Sequence, residues 1–444
     1  MSFATAITEN SGMGSNFPGA DKPRWEDYSR CIRCGLCLNQ CPTYRELGLE
    51  MDSPRGRIYQ MVLVEEGRLP IGESFVLHID RCLDCRACET ACPSGVEYGK
   101  LVEAARAQIK QHYLGPRLER LLRWLFFQFL ISKPSGLKVA GHLVGWYQSS
   151  GLQQMVRQSG LLDSFPRLAA LEPLTPTIET PSFFSQIGKV FPAHGNRRFR
   201  VALHAGCIAN IAFARLQEAT VRVLQANGCE VVVPAGQVCC GALHVHAGWR
   251  EEAQKLARRN IEFFAQQEAD AIVTNAAGCG SSLKEYGYLL QDDPTWAGKA
   301  AAFSRKVKDV LEFLCEVGLV QEMRPVSATV TYQDSCHLLH GQRVRRQPRL
   351  LLNSVPGLRL IEIASPEICC GSAGIYNVTQ TELAMQLLRS KMVAANRTGA
   401  EIIATANPGC ILQLRVGVEL YGNGQRVLHV IELLDQAQMT AESR

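Results

Sequence analysis

Two stretches of this 444-residue chain decide the fold of its first hundred residues: CIRCGLCLNQCP at 31–42 and CLDCRACETACP at 82–93. Each reads C-x2-C-x2-C-x3-C-P, a spacing that lets three thiolates hold three iron corners of one [4Fe–4S] cluster. The fourth iron takes its ligand from the Cys-Pro of the other stretch. The predicted ligands are Cys31, Cys34, Cys37 and Cys92 for the first cluster, and Cys82, Cys85, Cys88 and Cys41 for the second.

Zinc sites and disulfides are the alternative interpretations of these eight cysteines. Structural zinc usually takes two separate CxxC pairs, not a CxxCxxC run followed by CP. Disulfides need an oxidising compartment, and residues 1–20 are polar and glycine-rich, without the apolar core of a secretory signal. We therefore expect metal ligation, in a protein of the cytoplasm.

The bulk composition is that of an ordinary multidomain soluble protein, with 46% hydrophobic and 20% charged residues. No stretch reaches 18 uninterrupted apolar residues, so we predict no transmembrane helix. The formal net charge is +5, and no run of Lys and Arg with interleaved aromatic residues accompanies it. We therefore predict no nucleic-acid partner.

Changes in sequence texture divide the chain into five parts. We expect a flexible tail over 1–24, a ferredoxin domain over 25–131, a helical or irregular linker over 132–198, and two further domains over 199–325 and 326–444. The residues between the two cysteine runs contain a helical stretch, Arg57 to Glu66, which favours a mainly helical ferredoxin domain over a compact β-rich one. Helix is also predicted over 101–131, because leucines recur there at helical spacing.

The segment WLFFQFLI at 124–131 is very apolar and has basic residues on both sides. It predicts either a helix that binds a membrane surface or a partner, or a helix packed on the protein's own domains. The packed helix is the favoured interpretation, because core helices of this length are common.

From Phe199 onward, alternating strand and helix patterns predict α/β structure. The predicted strands are Arg200–Leu203, Glu230–Val233, Ala271–Thr274, Thr329–Tyr332, Leu358–Ile363 and Glu401–Ala404. The predicted helices between them lie around 211–226, 249–267 and 379–396.

This α/β half is a duplication, because its cysteine motifs repeat at offsets of 129 to 131 residues. Each copy has a cysteine after a strand, a Cys-Cys-Gly motif and a Gly-Cys motif. Cysteines just beyond the carboxyl ends of parallel strands can converge on one crevice, and the glycine relieves crowding where the backbone approaches a metal centre. The predicted metal ligands are Cys207, Cys239, Cys240 and Cys279 in the first copy, and Cys336, Cys369, Cys370 and Cys410 in the second.

Other residues near these motifs have simpler interpretations. Cys229 and Cys315 lack a counterpart in the other copy, and we expect both to be small buried hydrophobic side chains. The histidines near the motifs are His204, His244, His246, His337 and His340. We expect them to be core residues or to support ligands from behind. His337 is the best candidate for a hydrogen-bonding or electrostatic role, because it adjoins a predicted ligand.

Two cluster-binding runs followed by two Cys-Cys-Gly (CCG) units resemble the iron–sulfur subunits that serve flavin dehydrogenases of 2-hydroxy acids and of glycerol 3-phosphate. Within that class the chain looks like the glycolate oxidase (glycolate dehydrogenase) iron–sulfur subunits. The segments that carry the resemblance are CIRCGLCLNQCPTY, DSPRGRIY, HIDRCLDCRACETACPSGVEY, GQVCCGALHVH, NAAGCGSSLKEYG, EICCGSAGIYN and TANPGC. The resemblance spans about residues 28–435. It implies an α+β multidomain fold, with a helical two-[4Fe–4S] ferredoxin domain followed by two α/β CCG domains.

The sequence departs from the wider CCG class at one point. That class often ends each unit with CxxC, and this chain has Ala276 and Asn407 where the first of those cysteines would stand. Four cysteines per copy leave three occupants open: a four-thiolate iron–sulfur centre, a zinc ion, or no stable occupant. An iron–sulfur centre in at least one copy is the favoured interpretation.

The resemblance implies an electron-transfer role in a complex that oxidises glycolate to glyoxylate. Flavin-binding partner subunits would deliver the electrons, and a quinone, met at the inner membrane, or another acceptor would receive them. No Gly-x-Gly-x-x-Gly follows a strand, so we expect no flavin or nicotinamide on this chain and no catalytic residue for the substrate. The alternatives are the same relay for lactate or glycerol 3-phosphate, a thiol/disulfide enzyme similar to heterodisulfide reductase, and a zinc-containing scaffold.

Overall fold

The computed structural model describes residues 14–19, 21–164, 169, 172–320 and 322–438. Most of the predicted flexible tail, residues 1–13 and 20, lies outside this range. Of the described residues between 21 and 112, every regular element is helical, which confirms the prediction of a helical ferredoxin domain. Its α-helices are α1 Trp25–Tyr28, α2 Pro42–Leu47, α3 Pro54–Glu65, α4 Glu73–Asp80, α5 Ala87–Thr90 and α6 Tyr98–His112. Short 3₁₀ turns at Leu38–Gln40 and Glu50–Asp52 join them.

The segment SPRGR fixes the start of α3. The Ser53 hydroxyl accepts a hydrogen bond from the Gly56 backbone N–H at 3.0 Å, and Pro54 stands at the first helical position, where no donor is needed. Gly56 is required by space, because a Cβ there would lie 1.9 Å from the carbonyl oxygen of Glu50. This tight start turns Arg57 into the interior, where it is 1% exposed.

In its described residues, the segment that joins the ferredoxin domain to the CCG domains contains three further α-helices and a π-helical turn. They are α7 Arg117–Leu125, the turn Phe126–Leu130, α8 Pro134–Ser149 and α9 Leu152–Gln158. The predicted continuous helix over 101–131 is therefore wrong at 113–116, where the chain leaves helical conformation. Pro116 explains the break, because proline disfavours helix in the residue before it and begins a new helix well.

The apolar segment 124–131 divides between the interior and the surface. Phe127 and Ile131 are buried, and Phe127 stacks on Trp249 with ring centroids 5.2 Å apart. Trp124 and Phe129 are each 43% exposed. The prediction of a packed helix therefore holds for one side of this segment only. Among the described residues, none of the helices combines the length and the apolar character needed to cross a membrane.

The two CCG domains each contain a mainly parallel sheet. The strands of the first are β1 Val190–Phe191, β2 Phe199–Leu203, β3 Cys229–Val232, β4 Ala271–Thr274 and β5 Val307–Asp309, in the order β1-β3-β2-β4-β5. Those of the second are β6 Ala328–Tyr332, β7 Leu358–Ile361, β8 Ile402–Thr405 and β9 Arg426–His429, in the order β7-β6-β8-β9. Only β1 is antiparallel to its neighbour in these described sheets. The last four strands of the first sheet match the second in order, which confirms the duplication.

Helices cover both sheets. In the first CCG domain they are α10 Ala209–Ala212, α11 Ala214–Ala226, α12 Ala242–His246, α13 Arg250–Ala265, α14 Ala277–Lys284, α15 Tyr286–Leu289, α16 Ala297–Lys306 and α17 Val310–Val317. In the second they are α18 Gln347–Ser354, α19 Tyr376–Thr379, α20 Thr381–Asn396, α21 Pro408–Tyr421 and α22 Val430–Gln438. The two domains share one continuous apolar core, to which Leu224 contributes from the first and Leu434 from the second. An ion pair between Arg222 and Asp435, at 2.7 Å, closes the edge of this contact.

Candidate metal centres

The four cysteines predicted to bind the second cluster face one interior cavity. Cys41 lines it together with Cys82, Cys85 and Cys88. All four side chains are buried. The structure therefore brings the Cys-Pro cysteine of the first run next to the three closely spaced cysteines of the second.

The cysteines of the other predicted cluster lie nearer the surface. Cys92 approaches Cys31 closely enough for the charge of one thiolate to raise the pKa of the other, although burial is the larger cause of that rise. Cys31, Cys37 and Cys92 are half-buried, and Cys34 is exposed. The first group is thus the more accessible of the two from outside the protein.

The chemistry of the second group fits a cationic metal centre. Burial raises the pKa of Cys85 and Cys88 well above the ordinary value, and the neighbouring thiolates add to this. Four thiolates this close in a dry interior would repel each other without a cation. Bound iron would supply the positive charge and hold the thiols deprotonated.

Arg57 supplies a fixed positive charge beside the second group. It lines the same cavity, and its guanidinium donates to the Thr43 hydroxyl at 3.1 Å and to Asp52 Oδ1 at 3.2 Å. Its Nε donates to the carbonyl oxygen of His78 at 2.6 Å. The SPRGR segment, which marks the resemblance, therefore positions a cation against the predicted second cluster.

Each CCG domain brings its four cysteines together at the carboxyl end of its sheet. In the first copy the thiols form a chain of neighbours that shift one another's pKa, from Cys207 to Cys239, Cys240 and Cys279. In the second copy the corresponding chain runs from Cys336 to Cys369, Cys370 and Cys410. The neighbouring Cys369 thiol, together with burial, raises the pKa of the Cys370 thiol to about 12. Four convergent thiols form a donor set that fits a thiolate-bound iron–sulfur centre or zinc.

The glycine of each CCG motif has a backbone conformation that favours glycine. Gly241 and Gly371 have φ angles of 83° and 89°, in the left-handed region. A Cβ on Gly371 would lie 2.5 Å from the carbonyl oxygen of Ala384 in α20. At Gly371 the crowding comes from the helix that follows the motif, and the expected approach of the backbone to a metal centre stays a prediction.

The second CCG site adjoins the second cysteine group of the ferredoxin domain. Leu83 and Cys85 pack in one apolar cluster with Cys369 and Tyr376. The Tyr376 hydroxyl donates to the carbonyl oxygen of Arg81 at 3.0 Å. The buried thiols of Cys85 and Cys369 are close enough for a charge on Cys369 to raise the pKa of Cys85.

The two CCG sites differ in their surroundings. Asn260, in α13, accepts from the Val238 N–H at 2.9 Å and donates to the carbonyl oxygen of Cys239 at 3.1 Å. The corresponding residue of α20 is Lys391, which is 4% exposed and donates to the carbonyl oxygen of Ser365 at 2.8 Å. The second site therefore has a buried cationic side chain near its thiols where the first has a neutral amide.

The residues at the missing CxxC positions also differ in what they do. Asn407 Nδ2 donates to Cys410 Sγ at 3.3 Å, and its Oδ1 accepts from the Gly278 N–H at 3.5 Å. Ala276 offers only a methyl group. Asn407 thus hydrogen-bonds a thiol of the second site and connects it to the helix that carries Cys279.

A buried network of charges, which the sequence analysis missed, joins the ferredoxin domain to the first CCG domain. Arg86 Nη2 lies 3.0 Å from Glu103 Oε1, and Arg86 also pairs with Glu285. His246 Nδ1 lies 2.8 Å from Asp84 Oδ2. Asp84, Glu103 and His246 have the geometry of a cation site, but Arg86 already supplies a positive charge there.

Aligning the two cysteine runs identifies residues of the second run that indicate this network of charges. Arg86 stands where the first run has Gly35, and both residues have positive φ angles, of 60° and 85°. An arginine in a left-handed conformation that favours glycine indicates a side chain held by strong contacts. Asp84, with a φ of 51°, likewise matches Arg33 of the first run.

The histidines near the motifs behave mostly as core residues. His204 Nε2 donates to the carbonyl oxygen of Val238 at 3.1 Å, and His340 Nδ1 lies 2.8 Å from the Thr90 hydroxyl. His337 Nε2 donates to the carbonyl oxygen of Asp84 at 2.8 Å. His337 therefore links the second CCG site to the cysteine loop of the ferredoxin domain. Cys229 is buried, as expected, and Cys315 is only half-buried.

Comparisons with known families and proteins agree with this arrangement. Residues 27–96 match the profile of a 4Fe-4S dicluster domain, and residues 201–284 and 330–415 each match that of a cysteine-rich domain. Residues 118–175 match the profile described as the linker region of the glycolate oxidase iron-sulfur subunit. The dicluster domain and the duplicated cysteine-rich domain thus occupy the regions where the cysteines converge.

Relatives match the chain along most of its length. The probable glycolate oxidase iron-sulfur subunit of Bacillus subtilis (strain 168) is 43% identical over 92% of this chain and 93% of its own length. The glycolate oxidase iron-sulfur subunit of Escherichia coli (strain K12) is 33% identical over the same shares. Lactate utilization protein A of an Exiguobacterium species is 31% identical over 53% of this chain and 97% of its own length. The chain belongs to the family of glycolate oxidase iron–sulfur subunits.

Proposed function

We propose that this chain is the electron-transfer subunit of a complex that oxidises glycolate to glyoxylate. The observation that carries the proposal is the arrangement of the cysteine groups. One group lies at the surface, the next is buried, and the buried group adjoins the second CCG site. Such an arrangement suits a protein that receives electrons from a partner and passes them inward.

The proposal assigns each set of cysteines to a metal centre. Cys31, Cys34, Cys37 and Cys92 would hold the first [4Fe–4S] cluster, and Cys82, Cys85, Cys88 and Cys41 the second. Cys207, Cys239, Cys240 and Cys279, and likewise Cys336, Cys369, Cys370 and Cys410, would hold iron–sulfur or zinc centres. A [4Fe–4S] cluster supplies one-electron redox chemistry when it is bound. A reduced flavin holds two electrons, and a relay of several such centres can receive them one at a time.

The chain's own residues would control access to these centres. Ile32 and Leu36 flank Cys34 and are 69% and 59% exposed, which makes the first group the surface that a flavin-binding partner subunit would contact. Arg57 and the apolar core of the ferredoxin domain would keep water from the second group. His337 and Tyr376 would hold the second CCG domain against it.

We further propose a cytoplasmic location with peripheral contact to the inner membrane, where a quinone or another acceptor would take the electrons. Substrate chemistry would belong to the partner subunits. Anaerobic co-expression with the partners, followed by glycolate-dependent reduction of a dye, tests the role. Dye reduction should need both the partners and this chain, and reduction that proceeds equally without this chain would contradict the proposal.

Iron and sulfide analysis tests the ligand assignment. The purified chain should contain at least about eight iron atoms, from two [4Fe–4S] clusters. Cys34→Ser should lower the iron content and dye reduction, whereas Cys229→Ser is the matched control because Cys229 lies away from the predicted sites. Equal effects of the two substitutions would count against the assignment.

The same relay for lactate is a second candidate, because relatives named lactate utilization protein A match 53% of this chain. Dye reduction by the co-expressed complex with lactate in place of glycolate distinguishes the two. A rate with lactate above that with glycolate would favour the second candidate.

A further inference from the structure

Helix α7, Arg117–Leu125, turns its apolar face away from the protein. Leu118, Leu121, Leu122 and Leu125 recur at the spacing that places them on one face of a helix. These leucines are 43–68% exposed, and none of the nine residues of α7, all described by the structure, is buried. An apolar surface of this kind marks an interaction site.

The turn that follows α7 anchors the segment to the protein. The carbonyl oxygen of Phe127 accepts a hydrogen bond from His244 Nε2 at 3.1 Å, and its ring packs on Trp249. Gln128 Nε2 donates to Glu252 Oε1 at 2.9 Å. The protein thus holds the segment through the π-helical turn and leaves the leucine face of α7 free to contact something else.

The chain's excess positive charge falls within the sequence segment that contains this helix. Residues 114–158 contain six basic residues and one acidic residue, so their formal net charge equals the +5 of the whole chain. The remainder of the chain is formally neutral. The basic residues are Arg117, Arg120, Arg123, Lys133, Lys138 and Arg157. The single acid, Glu119, pairs with Arg123 at 2.8 Å.

We propose that α7 binds the surface of a membrane that contains anionic phospholipids. Its leucine face would enter the boundary of the acyl chains, and Arg117 and Arg120 would contact the lipid phosphates. Amphipathic helices with leucine and aromatic residues on one face and basic residues on the other lie in the interface in this way. Trp124, which packs edge-to-face on Phe129 at 5.0 Å, is of the residue type enriched at that depth.

Charge favours a membrane over a second copy of the chain as the occupant. Two copies meeting at α7 would bring two surfaces of equal positive charge together, and like charges oppose association. An anionic lipid surface instead attracts a basic segment within a Debye length. This inference identifies the part of the chain that would make the proposed peripheral contact with the membrane. It rests on the proposed function only for the nature of the electron acceptor.

Co-sedimentation of the full chain, with its metal centres loaded, tests the inference. Vesicles of phosphatidylglycerol should bind the protein, vesicles of phosphatidylcholine should bind it much less, and added salt should weaken the binding. The double variant Arg117→Gln, Arg120→Gln should weaken binding about 25-fold, because each charge contributes about fivefold. The double variant Leu118→Ser, Leu122→Ser should weaken it by about tenfold or more per leucine.

Exposed positions elsewhere provide matched controls that should leave vesicle binding unchanged. Leu350→Ser changes a leucine of α18 that is 60% exposed, and Arg389→Gln changes an exposed arginine of α20. All of these variants alter exposed side chains, so circular dichroism should show unchanged folding. Equal loss of binding in the controls and in the α7 variants would overturn the inference.

Two other outcomes would also overturn it. One is that the leucine variant binds vesicles normally but no longer co-purifies with the partner subunits, because α7 would then be a protein interface. The other is a dimer of the chain alone that the leucine variant dissociates. Vesicle binding by this chain requires neither glycolate nor partner subunits. If the proposed role in glycolate oxidation is wrong, only the dye assay will therefore fail. If the proposed membrane binding is wrong, only the vesicle assay will fail.

Discussion

Replacing His246 with glutamine should destabilise the junction between the ferredoxin domain and the first CCG domain. His246 Nδ1 lies 2.8 Å from Asp84 Oδ2 and 3.4 Å from Glu103 Oε1. Burial works against the charged imidazole, but hydrogen bonds to these two carboxylates outweigh it and raise the pKa of His246 to about 9. His246 is therefore a partly buried cation at neutral pH, and glutamine brings no charge to replace it.

The size of the effect follows from the folded pKa of about 9 and the unfolded value of 6.5. Proton linkage between these two values stabilises the folded protein by about 2–3 kcal/mol at pH 7 and by well under about 1 kcal/mol near pH 9.5. Because the folded pKa is the higher one, this stabilisation is fully present below pH 6.5 and is lost as the pH rises through 9. His246→Gln should remove it.

Urea denaturation of the loaded full chain under anaerobic conditions, at several pH values between about 6 and 10, measures this difference. The control is His244→Gln, which lies on the same helix. Burial lowers the pKa of His244, which favours its neutral form. Its substitution removes the hydrogen bond to the Phe127 carbonyl oxygen. The free-energy difference between His244→Gln and the wild-type protein should therefore not decrease as the pH rises toward 10.

The pH dependence of the unfolding free energy shows whether His246 contributes a charge. The difference in unfolding free energy between wild-type protein and His246→Gln should be largest near pH 6 and should close as the pH approaches 10. A difference that stays constant across this range would refute the reasoning, because it would show that His246 contributes packing and no charge. Such a result would appear as parallel curves of unfolding free energy against pH for the wild-type protein and His246→Gln.

Three further predictions concern the metal centres. Cys92→Ser should abolish the electron paramagnetic resonance signal of the first cluster and Cys41→Ser that of the second, although each cysteine belongs to the other run; the reverse assignment would contradict shared ligation. Gly371→Ala should lower the midpoint of thermal unfolding more than Gly241→Ala. Both substitutions cost about 1–2 kcal/mol because the backbone is left-handed, but only a Cβ at position 371 would lie within 3 Å of another atom. Arg57→Met should lower the free energy of unfolding by about 3 kcal/mol, measured in urea, because it leaves a buried carboxylate without this partner; an unchanged value would exclude the ion pair as a stabilising contact.

Local sequence patterns were sufficient for most of the backbone. The six predicted strands lie within two residues of observed ones, since runs such as AIVT at 271–274 are apolar throughout and fully buried. The strands Val190–Phe191, Val307–Asp309 and Arg426–His429 were missed. They are two to four residues long, and their mixed composition gives no period to detect, because their pairing with a neighbouring strand defines them.

Contacts between distant parts of the chain explain what the sequence could not predict at the sites. Convergence of the CCG cysteines followed from strand ends, which is a local property. The pairing of Arg86 with Glu285 joins residues separated by 199 positions, and no periodicity connects them. Whether an apolar segment faces inward is equally non-local, since the burial of Phe127 depends on the presence of Trp249.

The duplication does not imply two equivalent sites, because the ferredoxin domain contacts the copies differently. The second copy places Cys369 beside Cys85 and a histidine, His337, directly after its first cysteine. In the first copy Ile208 follows the first cysteine, and ion pairs make the contact with the ferredoxin domain instead. A buried lysine beside four thiols favours a more anionic occupant than a neutral amide does. The second CCG site thus adjoins the second cysteine group, and the hydrogen bond from Gly278 to Asn407 connects it to the first CCG domain.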